Sequence, residues 1–449
     1  MAFYEKYYHK MPDGTIKQIN PFSNTEVWCV EERGRKPTIN SVPHAPEPLD
    51  RREPEDYCHF CETNYIFTPP EKNRVYLDPA GSWKREPFIQ SDSLEKYPAE
   101  FRRLGNLFEI VTYDYWRMNY GYVMPAFCKE WQDSYLASKK GYDHIMNVLE
   151  LKLRMIGLDM SGMSEDERIL KTAPFFGGCH ELLIGRKHFV AGAESHHELC
   201  SSGELSPDEH YQYLLLAVDT LLDIYRQNPF VRYISVFQNW LKPAGASFDH
   251  LHKQLVGLDE WGVQMSSETE SLRGNPNLYN ELASNFAIYN SLLIAENDYA
   301  MAFTEIGHRF PTVAIYSKSH NCRPFEQTED EIRGMSDLVH AVHCAITSQT
   351  TCNEEWFFAP FDSIYAAPWH ILIKLRLHNP AGFEGNTKIY INPISPEKLS
   401  RDISEALVER RSAGLIAPGI RVGEEVRRTP NPLKYYLGTL KNISSEGHA

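Results

Sequence analysis

One order of elements occurs twice along this chain, and that repetition restricts its fold more than any other feature. The apolar run Leu182-Leu183-Ile184-Gly185 ends at Arg186-Lys187-His188. Leu205-Ser206-Pro207-Asp208 predicts a helix start, with serine as the cap and proline at the first position, and the apolar helical period continues to about residue 226. Residues 231–238 read as a strand leading to a second, histidine-bearing strand. Further along, 311–316 read as a strand ending at Ser317-Lys318-Ser319-His320. Thr328-Glu329-Asp330-Glu331 opens a helix to about residue 350, and 356–360 and 370–377 read as a closing pair of strands. The copies share order rather than identity. The repeat predicts an α+β protein of duplicated units, with a mainly antiparallel sheet and flanking helices, the copies sharing one sheet.

The expected organisation is an N-terminal arm and hairpin over 1–56, a first unit over 57–260, a second, degenerate unit over 261–394, and a C-terminal helix and tail over 395–449. The hairpin falls at 16–30. Residues 107–115 read as a strand, and 142–155 as a helix inside a segment, about 116–170, that reads as an insertion in the first unit. A net charge of −14 argues against a general nucleic-acid binder, which would show a basic footprint. No apolar run approaches the length that spans a bilayer, and residues 1–10 carry no apolar signal core, so the cytoplasm is the expected location.

The chemistry concentrates in Ser247-Phe248-Asp249-His250-Leu251-His252-Lys253-Gln254. In a strand, residues i, i+2 and i+4 share one face, so His250, His252 and Gln254 would line one side of a sheet while Leu251 and Leu255 pack behind. An imidazole can attack phosphorus and hold a phosphoryl group covalently. A side-chain amide beside it can donate to phosphate oxygens without surrendering a proton. Cys58-x-x-Cys61 is a metal half-site, and tetrahedral zinc commonly completes such a pair with two ligands from elsewhere. With no second CxxC in the chain, His188 and His250 are the expected partners; two ordinary buried cysteines are the alternative. The other seven of the nine cysteines are dispersed and fit small buried hydrophobes rather than a disulfide framework. The adjacent pair His196-His197 fits a solvated surface.

The segment from Asn239 through Gly245 and Ser247 to His250-Leu251-His252-Lys253-Gln254 resembles the active-site segment of the galactose-1-phosphate uridylyltransferases, a branch of the histidine-triad superfamily. The resemblance extends over about 16–380. It implies His252 as the nucleophile that takes up a nucleotidyl group, Gln254 as the residue that binds it, and Asn239, Gly245 and Ser247 as substrate contacts. It implies zinc on Cys58, Cys61, His188 and His250. Asn20-Pro21-Phe22-Ser23-Asn24 to Arg33-Gly34-Arg35-Lys36-Pro37 is similar to the family's N-terminal segment, whose basic loop reaches across a homodimer toward substrate; Arg33 keeps one arginine there and Lys36 replaces another. Thr112-Tyr113-Asp114-Tyr115 resembles the nucleoside-binding strand, with Asp114 suited to ribose hydroxyls and Tyr115 to the base. Leu251 replaces the family's proline between the histidines, Tyr113 an asparagine, and Trp369-His370-Ile371 keeps one histidine of a second metal site found in some members.

The implied activity is transfer of a nucleoside monophosphate from a nucleotide sugar to a sugar phosphate through a nucleotidyl-histidine intermediate. Two alternatives stand beside it. One is phosphorolysis or hydrolysis of a nucleotide or dinucleotide polyphosphate, where Gln254 favours a phosphate acceptor over water. The other is a non-catalytic nucleotide-binding protein.

Overall fold

The computed structural model describes residues 2–30, 32, 47–49 and 57–437. Sixteen strands are present among them: β1 (Tyr8–Lys10), β2 (Ile16–Ile19), β3 (Glu26–Cys29), β4 (Glu71–Leu77), β5 (Trp83–Pro87), β6 (Phe101–Gly105), β7 (His180–Gly185), β8 (Tyr233–Trp240), β9 (His252–Leu258), β10 (Leu293–Glu296), β11 (Ala300–Glu305), β12 (Thr312–Ser317), β13 (Cys352–Phe357), β14 (His370–Leu375), β15 (Ile389–Asn392) and β16 (Arg421–Val422). Twelve of them form one sheet in the order β16-β10-β11-β12-β14-β13-β8-β9-β7-β6-β4-β5. Its ladders are antiparallel throughout. The remaining four make a small sheet, β1-β2-β3-β15, whose β2–β3 hairpin is the one expected at 16–30.

The larger helices are α1 (Tyr113–Tyr120), α2 (Ala126–Ala137), α3 (Lys139–Met155), α4 (Glu165–Gly177), α5 (Pro207–Gln227), α6 (Gly262–Gly274), α7 (Glu329–Ile346) and α8 (Pro396–Ser412). Helix α5 sits between β7 and the β8–β9 pair in sequence, and α7 between β12 and the β13–β14 pair. In space β7-β9-β8 and β12-β14-β13 are the same order, and they meet back to back where β8 pairs with β13. The expected mainly antiparallel α+β architecture with flanking helices is therefore present.

Both central helices begin with reciprocal caps. Ser206 accepts from the Glu209 backbone N–H while the Glu209 carboxylate accepts from the Ser206 N–H, and Thr328 and Glu331 do the same for α7. Helices α5 and α7 lie against each other and contact strands of the large sheet. Leu221 and Ile224, with no exposed surface, each stabilise this layer by about 1.5–3 kcal/mol. Lys253 of β9 crosses beneath β8 to pair with Glu354 of β13, which also accepts from the His343 imidazole of α7 at 2.9 Å. This buried charge group ties the strand of His252 and Gln254 to the other half of the sheet.

Two readings from sequence are corrected. Residues 107–115 are not a strand: 107–111 form a loop and Thr112 caps α1, its side chain accepting from the Tyr115 N–H at 3.0 Å. The closing strand expected at 356–360 is β13, which starts four residues earlier, at Cys352. The segment at about 116–170 folds into most of α1 to α4. Trp131, Tyr135, Ile145 and Leu149 of this segment form a small core with Phe176. No helix among the described residues is long and apolar enough to cross a membrane.

Candidate active site

The register of β7, β9 and β8 places the key side chains. His252 pairs with Ile184, and Gln254 with Leu182 on one side and Phe237 on the other. The alternate residues Leu251, Lys253 and Leu255 are buried, the two leucines in the main core beneath the helices. The chain enters this strand through a tight turn over Lys242–Ala244, flanked by Leu241 at φ 67° and Gly245 at φ 95°. Glycine adopts that left-handed backbone freely; leucine does so at a cost of about 1 kcal/mol or more.

His252 is 4% exposed. Its Nδ1–H donates to the backbone oxygen of His250 at 2.8 Å. The proton is thereby fixed on Nδ1, and Nε2 keeps its lone pair. Burial pushes the imidazole pKa down to about 4, so the ring is neutral at physiological pH. His252, Gln254 and Ser247 line a cavity of about 370 Å³ together with Phe60, Phe67, Leu107, Phe108, Ile110, Met155 and Phe248. That volume and mostly apolar lining suit a small organic ligand with a flat face. Among the described residues that line it there is no arginine or lysine.

Asn106, just beyond β6, and His180, the first residue of β7, converge on Gln254. Asn106 Nδ2 and His180 Nε2 lie 3.5 and 3.0 Å from Gln254 Oε1. Both also line the cavity.

At the entry to β9, Cys58, Cys61, His188 and His250 bring their ligand atoms within 4.8 Å of one another. The sulfurs are 3.8 Å apart, and the sulfur–Nδ1 distances run from 3.4 to 3.9 Å. Bonds of about 2.3 Å to sulfur and 2.0–2.1 Å to nitrogen would give tetrahedral edges of roughly 3.8 and 3.5 Å. The group therefore has the dimensions of a four-coordinate metal site and is compatible with zinc. His250 Nε2–H donates to the Gly185 carbonyl at 2.6 Å, which turns Nδ1 toward the sulfurs. Cys58, together with the two imidazoles, holds the Cys61 thiol far below the usual thiol range, toward the thiolate that a metal takes. All seven other cysteines are buried.

The remaining expected site residues fall in different places. Asn239 lies on β8, two residues past the partner of Gln254, and its oxygen accepts from Asn353 Nδ2 at 2.7 Å. Asp114 and Tyr115 are exposed on α1: Asp114 pairs with Arg117, and the Tyr115 hydroxyl donates to Asp259. Neither lines the cavity, because the capped helix replaces the strand that would have aimed them there. Arg33 and Lys36 lie outside the described residues. His370 opens β14 as His252 opens β9, but it is stacked between Tyr316 and Phe357, at ring distances of 4.4 and 5.1 Å. His197 is exposed and His196 half-buried.

Sequence reasoning passed over Asn106, His180, Phe60 and Phe248. For His180 a signal existed: His180, Leu182 and Ile184 alternate on the face that meets Gln254 and His252.

Comparison with known proteins bears on the fold and the family. The chain is 22% identical to an ADP-glucose phosphorylase of Arabidopsis thaliana over 201 residues, 43% of this chain and 57% of that protein's length. It thus matches little more than half of this curated relative. The crystal structure of an ADP-glucose phosphorylase from the same plant superposes with a TM-score of 0.54 at 17% identity, covering 87% of this chain and 97% of the other. A GalT-like protein, also of Arabidopsis thaliana, gives 0.52 at 18% identity, covering 86% and 97%. The fold is shared with these two solved structures, an ADP-glucose phosphorylase and a GalT-like protein. Across residues 11–435 the chain matches the model of the family described as Domain of unknown function (DUF4921), and to that family it belongs.

Proposed function

We propose that this protein transfers a nucleoside monophosphate between phosphate-bearing partners through a covalent intermediate on His252. One observation carries the reading above the others: a buried, neutral imidazole with its proton tied to a backbone carbonyl presents Nε2 to a ligand-sized cavity beside a side-chain amide. Nε2 would attack the α-phosphorus of a nucleotide sugar; the P–N bond forms and the bond to the bridging oxygen breaks, releasing a sugar phosphate. An oxygen of a second phosphate then attacks the adduct and the P–N bond breaks. Gln254, Ser247 and Asn239 would donate to the phosphoryl oxygens as charge develops on them.

Zinc on Cys58, Cys61, His188 and His250 would brace the strand start, since four protein ligands leave no open position. Among the described residues the cavity lining holds no arginine or lysine to meet a diphosphate, so Arg33 and Lys36 of the N-terminal loop are assigned that task, reaching the site across a homodimer. Asp114 and Tyr115, turned away on α1, are not retained as nucleoside contacts in this proposal.

The acceptor divides two versions of the reaction. Sugar phosphate as acceptor gives a uridylyltransferase-like exchange. Inorganic phosphate gives phosphorolysis, which the similarity to an ADP-glucose phosphorylase favours. Intact-protein mass after brief exposure to a panel of nucleotide sugars and dinucleotide polyphosphates tests the reading. The expected result is a gain of one nucleoside monophosphate, absent in His252→Ala, and chased off by phosphate or by hexose 1-phosphate according to the true acceptor. Full turnover by His252→Ala would overturn it.

A further inference from the structure

We propose that His180 is a positioning residue that fixes which end of the Gln254 amide faces the reacting phosphorus; this rests on the nucleotidyl-transfer reading above. The polarity of the network can be followed from the backbone inward. The Phe108 N–H donates to Asn106 Oδ1 at 2.9 Å, so the NH2 end of Asn106 is the end turned to His180 and Gln254. The Ile110 N–H donates to His180 Nδ1 at 3.0 Å, so the ring carries its proton on Nε2. Burial keeps this ring in its neutral form.

Two donors therefore converge on one side-chain atom of Gln254, His180 Nε2–H from 3.0 Å and the Asn106 amide from 3.5 Å. That atom can only be the oxygen, because an inverted amide would set three donors against each other with no acceptor. The NH2 group of Gln254 is thereby turned away from His180, into the cavity it shares with His252, where phosphoryl oxygens would develop charge. Both anchoring N–H groups belong to the 106–112 loop, whose Leu107, Phe108 and Ile110 wall the cavity. Ordering of that loop and orientation of Gln254 are thus one event.

Two substitutions separate the two contacts of the imidazole. His180→Asn keeps an acceptor for the Ile110 N–H but loses the donor to Gln254; His180→Gln keeps a donor where Nε2 stood. Single-turnover formation of the His252 adduct at saturating donor should fall about 10- to 100-fold in His180→Asn, a share of what losing a transition-state donor costs. Donor affinity should be nearly unchanged, and His180→Gln should recover most of the rate. In a Gln254→Leu background, His180→Asn should cost nothing further, whereas a purely structural role would multiply the two losses. Wild-type rates in His180→Asn, or multiplying losses, would overturn the proposal. If the wild-type protein forms no adduct with any donor, the nucleotidyl-transfer reading fails instead. Nitrogen-15 spectra of the substrate-free, histidine-labelled protein, assigned with His180→Gln, test the network without turnover: a proton on Nε2 of His180 is expected, and a proton on Nδ1 would refute it.

Discussion

At the scale of single residues, the site depends on where two protons sit. His252 holds its own on Nδ1 through a carbonyl two residues back, and burial keeps Nε2 free of a second one well below neutral pH. A kinetic signature follows. The rate of adduct formation should stay flat from pH 8 down to about 5, where a nucleophile titrating near 6.5 would already have lost about 30-fold. Stopped reactions across that range, read by intact mass, check it; a fall in rate centred near pH 6.5 would contradict the buried, neutral assignment. The pattern His250-Leu251-His252-Lys253-Gln254 made the shared face of His252 and Gln254 legible in the sequence because strand periodicity is local. The partners of Gln254 were harder to read. Asn106 and His180 lie 148 and 74 residues from it in the chain, and only the pairing of β7 with β9 brings His180 to it.

At the scale of elements, the Cys58–Cys61 turn, the segment after β7 that carries His188 and the entry to β9 meet at one cluster of ligand atoms. Removing one ligand should release all three. Cys61→Ser is expected to lower bound zinc from about one per chain to near zero, to reduce the melting temperature and to abolish adduct formation; metal analysis and calorimetry on the same preparation check this. A variant that keeps its zinc would refute the ligand assignment. Helix starts were legible for a physical reason: the reciprocal caps at Ser206/Glu209 and Thr328/Glu331 are local chemistry. One misreading and one omission also have causes. The β-branched and aromatic residues Phe108, Ile110, Val111 and Tyr113 look like a strand, but Glu109 and Thr112 satisfy the first N–H groups of α1 and stabilise the helix start there. Strand β6 was passed over because Arg102 and Arg103 look solvated; both are buried, their charges met by Glu71, Glu181 and Asp223.

At the scale of the whole molecule, the repeated strand order about the β8–β13 seam leads us to propose that the two halves descend from one unit, the second having filled its counterpart site with the Tyr316 and Phe357 rings around His370. Buried imidazoles distant from the metal cluster then set the acid limit of the fold. Burial holds His210 well below its ordinary 6.5 and pushes His340 and His370 down to about 4. Above pH 6.5 these rings are neutral whether the chain is folded or not, so no stability is lost to them. Between about 6.5 and 4 the unfolded chain takes up protons that the fold refuses. Stability should therefore fall on acidification by about 1.4 kcal/mol per pH unit for each group, about 4 for the three together. Urea midpoints at pH 7.5, 6 and 5 check this, and an unchanged midpoint down to pH 5 would contradict it. The seam has a further consequence, for the order in which the chain is made. Strand β8 leaves the ribosome more than a hundred residues before its neighbour β13, so at about 5–20 residues per second its edge stays open for roughly 6–22 seconds. A nascent first half with a bare strand edge invites pairing with the wrong chain, and holdase chaperones would be expected to bind it during that interval.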